Sequence, residues 1–255
     1  MNMYQFIESL KLAAASKTLY VRGGWGQPLT DENKKHFIES YDFNRSVDPY
    51  GRNRAELIKK ASADTFAFDC LCFVKSDIDG FCADPSLPYG GATYGKPCPD
   101  VTLQALMRSC SNVRNIQGRE PEIGDLLAFS DYSHCGIYIG GGFVVECTYR
   151  WVDGVQFTKY QGRGWATAGK LPYIKEDPQP APATDIILVQ TGAYKQKSNA
   201  NKYKQDGQII IKAGDIYRVG YQFSTKADAE TALKMCSNGI PADAFIVSYD
   251  NYIII

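Results

Sequence analysis

The sequence predicts an α+β fold divided into two units. In residues 1–175, helix-prone segments come first and short apolar runs separated by glycines follow, which is the pattern of an antiparallel meander. Residues 185–255 instead alternate in the order βαββαβ. Residues 176–184 (EDPQPAPAT) place three prolines among small and polar residues, as in an extended linker. We therefore expect a domain over 1–175, a linker over 176–184 and a second domain over 185–255; the alternative is a surface loop within one domain.

Helices dominate the start of the first unit. They are predicted over residues 4–16 and 53–63, with a strand that runs into a glycine turn over residues 20–26 (YVRGGWG). A third helix is predicted to begin at Cys70 and to end near Gly80. Its apolar stripe would consist of Leu71, Val74, Ile78 and Phe81.

Strands dominate the rest of the chain. After Pro121, the runs DLLAFSD, HCGIYIG, FVVECTY and GVQFTKY predict the meander. In the second unit, IILVQTGAY, QIIIKAG, DIYRVGYQF and AFIVSYD predict four strands. Helices are predicted between them over residues 198–205 and 225–238, so that a small sheet is backed by two helices.

Composition excludes several classes of protein. Of 255 residues, 44% are hydrophobic and 22% charged, which excludes disorder and coiled coil as the main state. Lys plus Arg and Asp plus Glu are both 28, so the net charge favours neither a nucleic acid nor an anionic surface as partner. The apolar runs are too short to span a membrane. Glu8 and Lys11 interrupt the N-terminal segment where a secretory leader would be apolar, so we expect eight reduced cysteines.

Two histidines limit the candidates for thiol catalysis to very few pairs, and His134 is the better placed. Cys70 would lie at a helix N-terminus, where the helix dipole stabilises a thiolate. His134 opens a predicted strand that turns at residues 140–142. A three-residue loop there pairs His134 with Thr148 and puts Glu146 on the same face, within reach of a hydrogen bond. A two-residue loop would put Glu146 on the opposite face.

In the first register, Cys70 is the nucleophile, His134 the base and Glu146 the group that orients the imidazole. One alternative is that Cys70 is an inert buried thiol. Another is a zinc site, although the chain lacks the usual CxxC spacing. That site would use Cys70, Cys72, Cys82 and Cys98. His36, in the charged segment DENKKHF, is expected to face solvent.

The segments FDCLCFVK and EIGDLLAFSDYSHCGIYIGGGFVVECTYRW resemble the NlpC-type cell-wall peptidases, a papain-like family. The resemblance covers residues 18–173 and implies a papain-like core, with Cys70 on a helix and His134 on an antiparallel sheet. It implies catalysis by Cys70, His134 and Glu146 as the third polar residue, with no metal or other cofactor. The segment YVRGG resembles the family segment in which a tyrosine hydroxyl helps to bind the oxyanion, a role that Tyr20 would take.

The chain departs from this family at three places. Leu71 and Cys72 stand where Ser-Gly is usual, and Glu146 stands where His, Asn or Gln is more common. Residues 27–64 resemble an insertion whose role the sequence does not indicate. We expect Asp69 and Trp151 near the substrate, the latter with Arg150 and Trp165 along a groove. The alternative is that both tryptophans belong to the core.

The second unit resembles SPOR-type domains, which share the βαββαβ order and bind peptidoglycan glycan strands. The segment GYQF replaces the Gly-Pro-Phe of that family. The resemblance implies a binding face on a ferredoxin-like sheet, and the candidate residues are Gln190, Tyr217, Arg218 and Tyr221. The alternative is that these side chains only cover the sheet. RNA-binding domains share the topology, but no RNP-like aromatic motif is present, so we expect no nucleic acid.

Together the resemblances imply a modular peptidoglycan hydrolase with peptidoglycan as its partner. The bond expected to break joins γ-D-glutamate to the diamino acid of the stem peptide. The alternatives are an N-acetylmuramoyl-L-alanine amidase, an acyltransferase, and a catalytically silent wall-binding protein. Because no leader is predicted, we expect synthesis in the cytoplasm and action on the wall after holin-type release, as for a phage endolysin.

Overall fold

The computed structural model describes residues 1–175, 186–203, 208–213, 216–223, 229–230, 245–249 and 253–254. The predicted linker over 176–184 and nearly all of the predicted helix over 225–238 lie outside these residues. The described chain is mixed α+β, as predicted. Its helices are α1 (Met3–Ala15), α2 (Asp31–Ser40), α3 (Asp42–Arg45), α4 (Arg54–Lys60), α5 (Cys70–Ile78), α6 (Leu103–Ser109) and α7 (Lys197–Tyr203).

The strands form three sheets. The first has the order β1-β3-β2, from strands β1 (Thr18–Tyr20), β2 (Trp25–Pro28) and β3 (Phe66–Phe68). The second has six strands in the order β4-β9-β5-β6-β7-β8, from β4 (Ser111–Asn115), β5 (Asp125–Phe129), β6 (Cys135–Gly140), β7 (Phe143–Thr148), β8 (Gly154–Lys159) and β9 (Trp165–Lys170). The third has the order β13-β10-β12-β11-β14, from β10 (Ile186–Tyr194), β11 (Ile209–Ala213), β12 (Ile216–Phe223), β13 (Phe245–Tyr249) and β14 (Ile253–Ile254).

Side-chain caps explain where the N-terminal helices begin. At α1, the Asn2 side chain accepts a hydrogen bond from the Gln5 amide at 2.8 Å, and the Gln5 side chain accepts one from the Asn2 amide at 3.0 Å. At α4, the Asn53 side chain accepts a single capping hydrogen bond, from the Glu56 amide at 3.2 Å. The predicted helices over 4–16 and 53–63 are therefore confirmed, with α4 ending three residues earlier, at Lys60.

Helix α5 is the centre of the first unit. It contacts α1 on one side and β6 and β7 on the other, so most of its surface is buried. Val74 and Ile78 are buried as the apolar stripe predicts, but Leu71 is only half-buried and Phe73 takes its place in the core. Gly80 follows the helix with a φ of 95°, a left-handed conformation that ends it.

The predicted meander is confirmed as β5 to β8, and the register of its central hairpin is that of the three-residue loop. Ile137 pairs with Val145 and Tyr138 with Val144, and a bulge then pairs Gly140 with Phe143. The turn itself therefore has two residues, and the bulge restores the register expected from three. Strands β4 and β9 were not predicted; β9 inserts between β4 and β5.

The residues that resemble an insertion, 27–64, form α2, α3 and α4 beside the three-stranded sheet. Their apolar side chains Phe37 and Ile58 pack in one buried cluster with Val21 and Ala67. Strand β3, at the centre of that sheet, leads directly into α5. The segment therefore supports the strand from which Cys70 emerges.

The second unit contains the four predicted strands and the first of its predicted helices, α7. A short fifth strand, β14, pairs with β11. At the end of residues 1–175, the Met3 amide donates to the Lys175 carbonyl at 3.0 Å, which holds this end against the start of α1. The two units touch where the Phe143 ring lies 4.9 Å from that of Tyr221.

Candidate active site

Cys70 lies at the junction of β3 and α5, as its first helical residue. The preceding residue, Asp69, caps this helix by accepting hydrogen bonds from the amides of Leu71 at 3.1 Å and Cys72 at 2.8 Å. Its second oxygen accepts from the Gly23 amide at 3.0 Å. Both carboxylate oxygens of Asp69 therefore hold backbone around Cys70, and this cap fixes the thiol at the helix N-terminus.

His134 directly precedes β6, and Glu146 lies on the neighbouring strand β7. The Nε2 atom of His134 is 2.5 Å from Oε2 of Glu146. Gly136 makes room for this approach, because a Cβ atom there would lie 2.7 Å from Val144 and 3.1 Å from the Glu146 Cβ. The structure thus brings together the histidine and the carboxylate that the three-residue-loop register puts on one face of the sheet.

The pKa of Cys70 is lowered and the pKa of His134 is raised, and each shift favours the charged form of that side chain. A hydrogen bond from the Cys135 thiol and another from His134 lower the pKa of Cys70 well below its usual value, against the effect of burial. Burial alone would lower the pKa of His134, but its hydrogen bonds to Cys70 and Glu146 raise it to about 9. Near neutral pH these shifts favour a thiolate beside an imidazolium. Burial instead raises the pKa of Cys72 well above its usual value, so Cys72 remains a thiol.

Glu146 is completely buried, and each of its two carboxylate oxygens accepts two hydrogen bonds. Besides His134, it accepts from the Thr158 hydroxyl and from two nitrogens of Arg163. The Arg163 Nε to Glu146 Oε1 distance is 2.9 Å. Burial would raise the pKa of Glu146, but the hydrogen bonds from His134 and Arg163 lower it to about 2.

Aromatic rings enclose His134 and Arg163. The Trp165 ring is stacked on the His134 imidazole at 5.6 Å with an angle of 22°, and Phe129 lies 5.2 Å from the same imidazole. Trp165 is 5% exposed, so it belongs to the core. Trp151, expected in a groove, is 43% exposed and lies between two cations, Arg150 and Arg163.

Tyr20 is buried, with its ring edge-on to Phe43 and Tyr149. Burial and then the negative charge of Cys70 raise the pKa of Tyr20 well above its usual value, so the phenol keeps its proton. Arg22 hydrogen bonds to the Tyr20 side chain. Because a guanidinium can only donate, the Tyr20 oxygen accepts this bond and its own O–H remains a donor for another group.

The backbone of Tyr20 is held by the segment 27–64. Arg54, fully buried on α4, donates to the Tyr20 carbonyl and forms ion pairs with Asp153 at 2.6 Å and Asp48 at 3.3 Å. Arg52 joins the same two carboxylates. Four buried or half-buried charges thus connect this segment to the loop before β8.

Two adjoining cavities open beside Cys70. The first has a volume of about 600 Å³ and is lined by Cys70, Asp69, Trp25 and Lys75 among others. The second, of about 430 Å³, is lined by Tyr20, Phe43 and Tyr149 among others. Both share Arg22, Tyr41 and Ser133, so the cavities meet along one cleft. Tyr41 and Phe43 show that the segment 27–64 lines this cleft.

The four candidate residues of the second unit do not share one face. Tyr217 and Arg218 are neighbours on β12 and so point to opposite sides of the sheet. The Arg218 guanidinium is 3.5 Å from the Gln190 side chain. Tyr221 is fully buried against Phe143, with Lys159 over its ring, and therefore forms part of the contact between the units.

Sequence reasoning missed Arg163, Thr158 and Cys135. Cys135 is adjacent to His134, and its sulfur lies 3.2 Å from the Cys70 carbonyl oxygen. Arg163 stands between two glycines in the segment GRG, which indicates a loop but not the direction of the side chain. Thr158 sits on β8, two residues beyond Gln156, the residue that pairs with Glu146, so its position on the same face as the β7 carboxylate could have been inferred from the pairing of β7 with β8.

The chain matches no protein-family model and no curated protein. Within the described residues, no group of three or more His, Cys, Asp or Glu side chains is arranged to hold a metal ion, so the cysteine zinc alternative has no site there. None of the described helices is both long and apolar enough to cross a bilayer.

Proposed function

We propose that the chain is a thiol hydrolase of peptidoglycan that cleaves the stem peptide between γ-D-glutamate and the diamino acid. The observation that supports this most is the hydrogen-bonded series of Cys70, His134 and Glu146 beside an open cleft. The series supports acyl transfer through a thioester as the reaction class. The choice of a peptidoglycan substrate, and of a papain-like core, rests on the resemblance of these motifs to the NlpC-type peptidases.

In the proposed reaction, the Cys70 thiolate attacks the scissile carbonyl carbon and forms a tetrahedral intermediate. The His134 imidazolium then gives its proton to the leaving amine, and a thioester to Cys70 remains. Water, deprotonated by the now neutral His134, hydrolyses the thioester and restores the thiolate. Glu146 keeps the imidazole ring in one orientation through both steps.

Tyr20 is the proposed oxyanion donor. Its phenol stays protonated, and the bond that it accepts from Arg22 directs its own proton elsewhere. The adjacent guanidinium also places positive charge near the developing oxyanion. Tyr20 and Cys70 lie close enough for the thiolate charge to raise the pKa of the phenol, as expected for two groups that face one reacting carbonyl.

One exposed cation of the cleft, Arg22, would suit a carboxylate of the substrate. Lys75 is paired with Asp100 at 2.6 Å and lies over the Trp25 ring, so its charge is largely cancelled. Arg22 is exposed, and it lines both cavities. A stem peptide carries a free carboxylate next to the γ-D-glutamyl bond, and Arg22 is the group that would bind it.

We also propose that the second unit is a SPOR-like, ferredoxin-like module that binds glycan strands. Attachment to a wall-binding module raises the effective concentration of stem peptide at the cleft. This organisation suits an endolysin made in the cytoplasm and released to the wall. The strands of the second unit lie in the order β13-β10-β12-β11-β14, which is compatible with such a module.

The direct test is mass spectrometry of purified peptidoglycan after digestion by the wild-type protein, Cys70→Ala and Cys72→Ala. We expect new fragments from the wild type and from Cys72→Ala but none from Cys70→Ala. Fragment masses separate the proposed endopeptidase from an N-acetylmuramoyl-L-alanine amidase. If the wild type releases nothing while still sedimenting with the wall, the protein is a binding protein and the proposal is wrong.

A further inference from the structure

We propose that Arg163 is a positioning residue that cancels the charge of Glu146, so that this carboxylate orients His134 as a neutral amide would. The inference rests on the proposed roles of Cys70, His134 and Glu146. It assigns a function to a side chain that does not touch the substrate and that lies 29 residues beyond His134 in the chain.

Arg163 binds Glu146 through a forked contact, in which two guanidinium nitrogens donate to the two carboxylate oxygens. Nε of Arg163 donates to Oε1 at 2.9 Å, and Nη2 donates to Oε2, the same oxygen that bonds His134. Two parallel bonds of this kind fix the plane of the carboxylate as well as its position. The plane of the carboxylate in turn fixes the direction in which Oε2 meets the imidazole.

The loop and the rings around Arg163 are arranged to keep this cation buried. Gly162 and Gly164 on either side of Arg163 both have positive φ, 76° and 78°, and the turn that they form lets the side chain point inward. The guanidinium carbon lies 5.1 Å from the Trp151 ring, 5.5 Å from Phe129 and 5.6 Å from Trp165. Only 4% of the Arg163 side chain is exposed.

The charges then alternate through the site: Cys70 negative, His134 positive, Glu146 negative and Arg163 positive. A buried carboxylate alone beside an imidazolium would bind the proton of His134 too tightly for transfer to the leaving amine. With Arg163 attached, the pair with Glu146 is neutral as a whole, yet Oε2 still accepts a hydrogen bond. The titratable groups around this pair also include Cys70 from α5 and Cys147 from β7.

A purely structural role would make a different prediction. Arg163 could simply neutralise a buried carboxylate and stabilise the fold. In that case its replacement would lower the free energy of unfolding without changing the proton affinity of His134 in the protein that remains folded. The titration of His134 therefore separates the two roles.

The experiment is NMR titration of the imidazole nitrogens in the full-length, histidine-labelled protein. The chain contains only two histidines, and His36 is exposed, so His36→Gln assigns both signals. We compare the wild type with Arg163→Met, and Glu146→Gln with the double variant Glu146→Gln/Arg163→Met. We expect Arg163→Met to raise the midpoint of His134 by about one pH unit, a tenfold change in proton affinity, in either background. The Gln background has no unpaired carboxylate, so it provides the test even if Arg163→Met alone does not fold.

Activity adds a rescue test. We expect Arg163→Met to lower kcat about tenfold or more, and the double variant, in which both groups are neutral, to recover part of that loss. Arg163→Lys retains the charge without the fork, so its His134 midpoint should stay near that of the wild type. Midpoints that Arg163→Met leaves unchanged or lowers in both backgrounds would overturn the inference. The titration needs no substrate. Failure of the peptidoglycan assay alone would therefore reject the proposed function, and the midpoints of His134 would still test the role of Arg163.

Discussion

Nε2 of His134 and Oε2 of Glu146 lie 2.5 Å apart across two neighbouring strands. Because Nε2 is engaged there, the second ring nitrogen, Nδ1, remains for the hydrogen bond with Cys70. In the neutral imidazole the proton would then sit on Nε2, and Nδ1 would be the base. One contact between side chains thus determines the tautomer that the proposed mechanism requires.

The pH dependence of kcat/KM should follow from the pKa values of Cys70 and His134. The active form needs a thiolate and an imidazolium, so activity should fall as the pH rises through about 9, the pKa of His134. It should also fall as the pH drops through the depressed pKa of Cys70. Glu146→Gln removes a negative partner of the imidazolium and should move the alkaline limb to lower pH. An alkaline limb that stays in place in this variant would exclude Glu146 as the partner that raises the pKa.

Arg54 should be essential for stability. It is fully buried, and its loss would leave Asp48 and Asp153 with only the half-buried Arg52. We expect Arg54→Met to lower the free energy of unfolding by about 3 kcal/mol, measured by urea denaturation at pH 7. Arg52→Met is the matched control and should cost clearly less, because its side chain is 28% exposed. Equal losses in the two variants would contradict this account.

Asp77 should make stability depend on pH. It is buried in α5 with a hydrogen bond from Ser9 at 2.6 Å, and burial raises its pKa to about 8. Between the unfolded value of 3.8 and about 8, the folded state therefore holds a proton that the unfolded state has lost. Stability must decrease as the pH rises through this window, by at most about 1.4 kcal/mol per pH unit.

Asp77→Asn removes this titration while keeping the shape of the side chain. We expect the variant to gain stability over the wild type by at least about 1 kcal/mol more at pH 8 than at pH 5. Urea unfolding at the two pH values measures the difference. A constant difference between the two proteins across this range would show that Asp77 is ionised in the folded state.

Arg22 should determine preference for an acidic substrate. We expect Arg22→Met to raise KM about tenfold for a stem peptide whose carboxylate next to the scissile bond is free. For the same peptide with that carboxylate amidated, the two proteins should have nearly the same KM. For the free-acid peptide, the KM of Arg22→Lys should lie between those of the wild type and Arg22→Met. An equal rise in KM for both peptides would show that Arg22 acts only through its hydrogen bond to Tyr20 and does not bind the substrate carboxylate.

Much of the site could be predicted because its signals are local. A cysteine after a capping aspartate marks a helix start, and the alternation of β6 and β7 put His134 and Glu146 on one face. The turn was harder, since a two-residue loop with a bulge gives the register expected from three residues. Sequence reasoning therefore reached the correct pairing by assuming a loop of the wrong length.

Long-range partners could not be predicted in the same way. The inward direction of Arg163 depends on backbone angles at two glycines and on rings from three other segments. The support of Tyr20 by Arg54 joins residues 34 positions apart, with no periodicity to reveal it. Tyr221 looked like a surface aromatic, but it is covered by Phe143, which belongs to the other unit.

The bond from Arg54 to the Tyr20 carbonyl links folding to activity. Opening of the segment 27–64 would break that bond and would also remove Tyr41 and Phe43 from the cleft. The segment cannot unfold locally while Tyr20, the proposed oxyanion donor, keeps its position, so the amide hydrogens of the segment and of Tyr20 should exchange as one cooperative unit. A protease cut between residues 42 and 52 that opens this segment should therefore abolish the proposed activity, although Cys70, His134 and Glu146 would still be present.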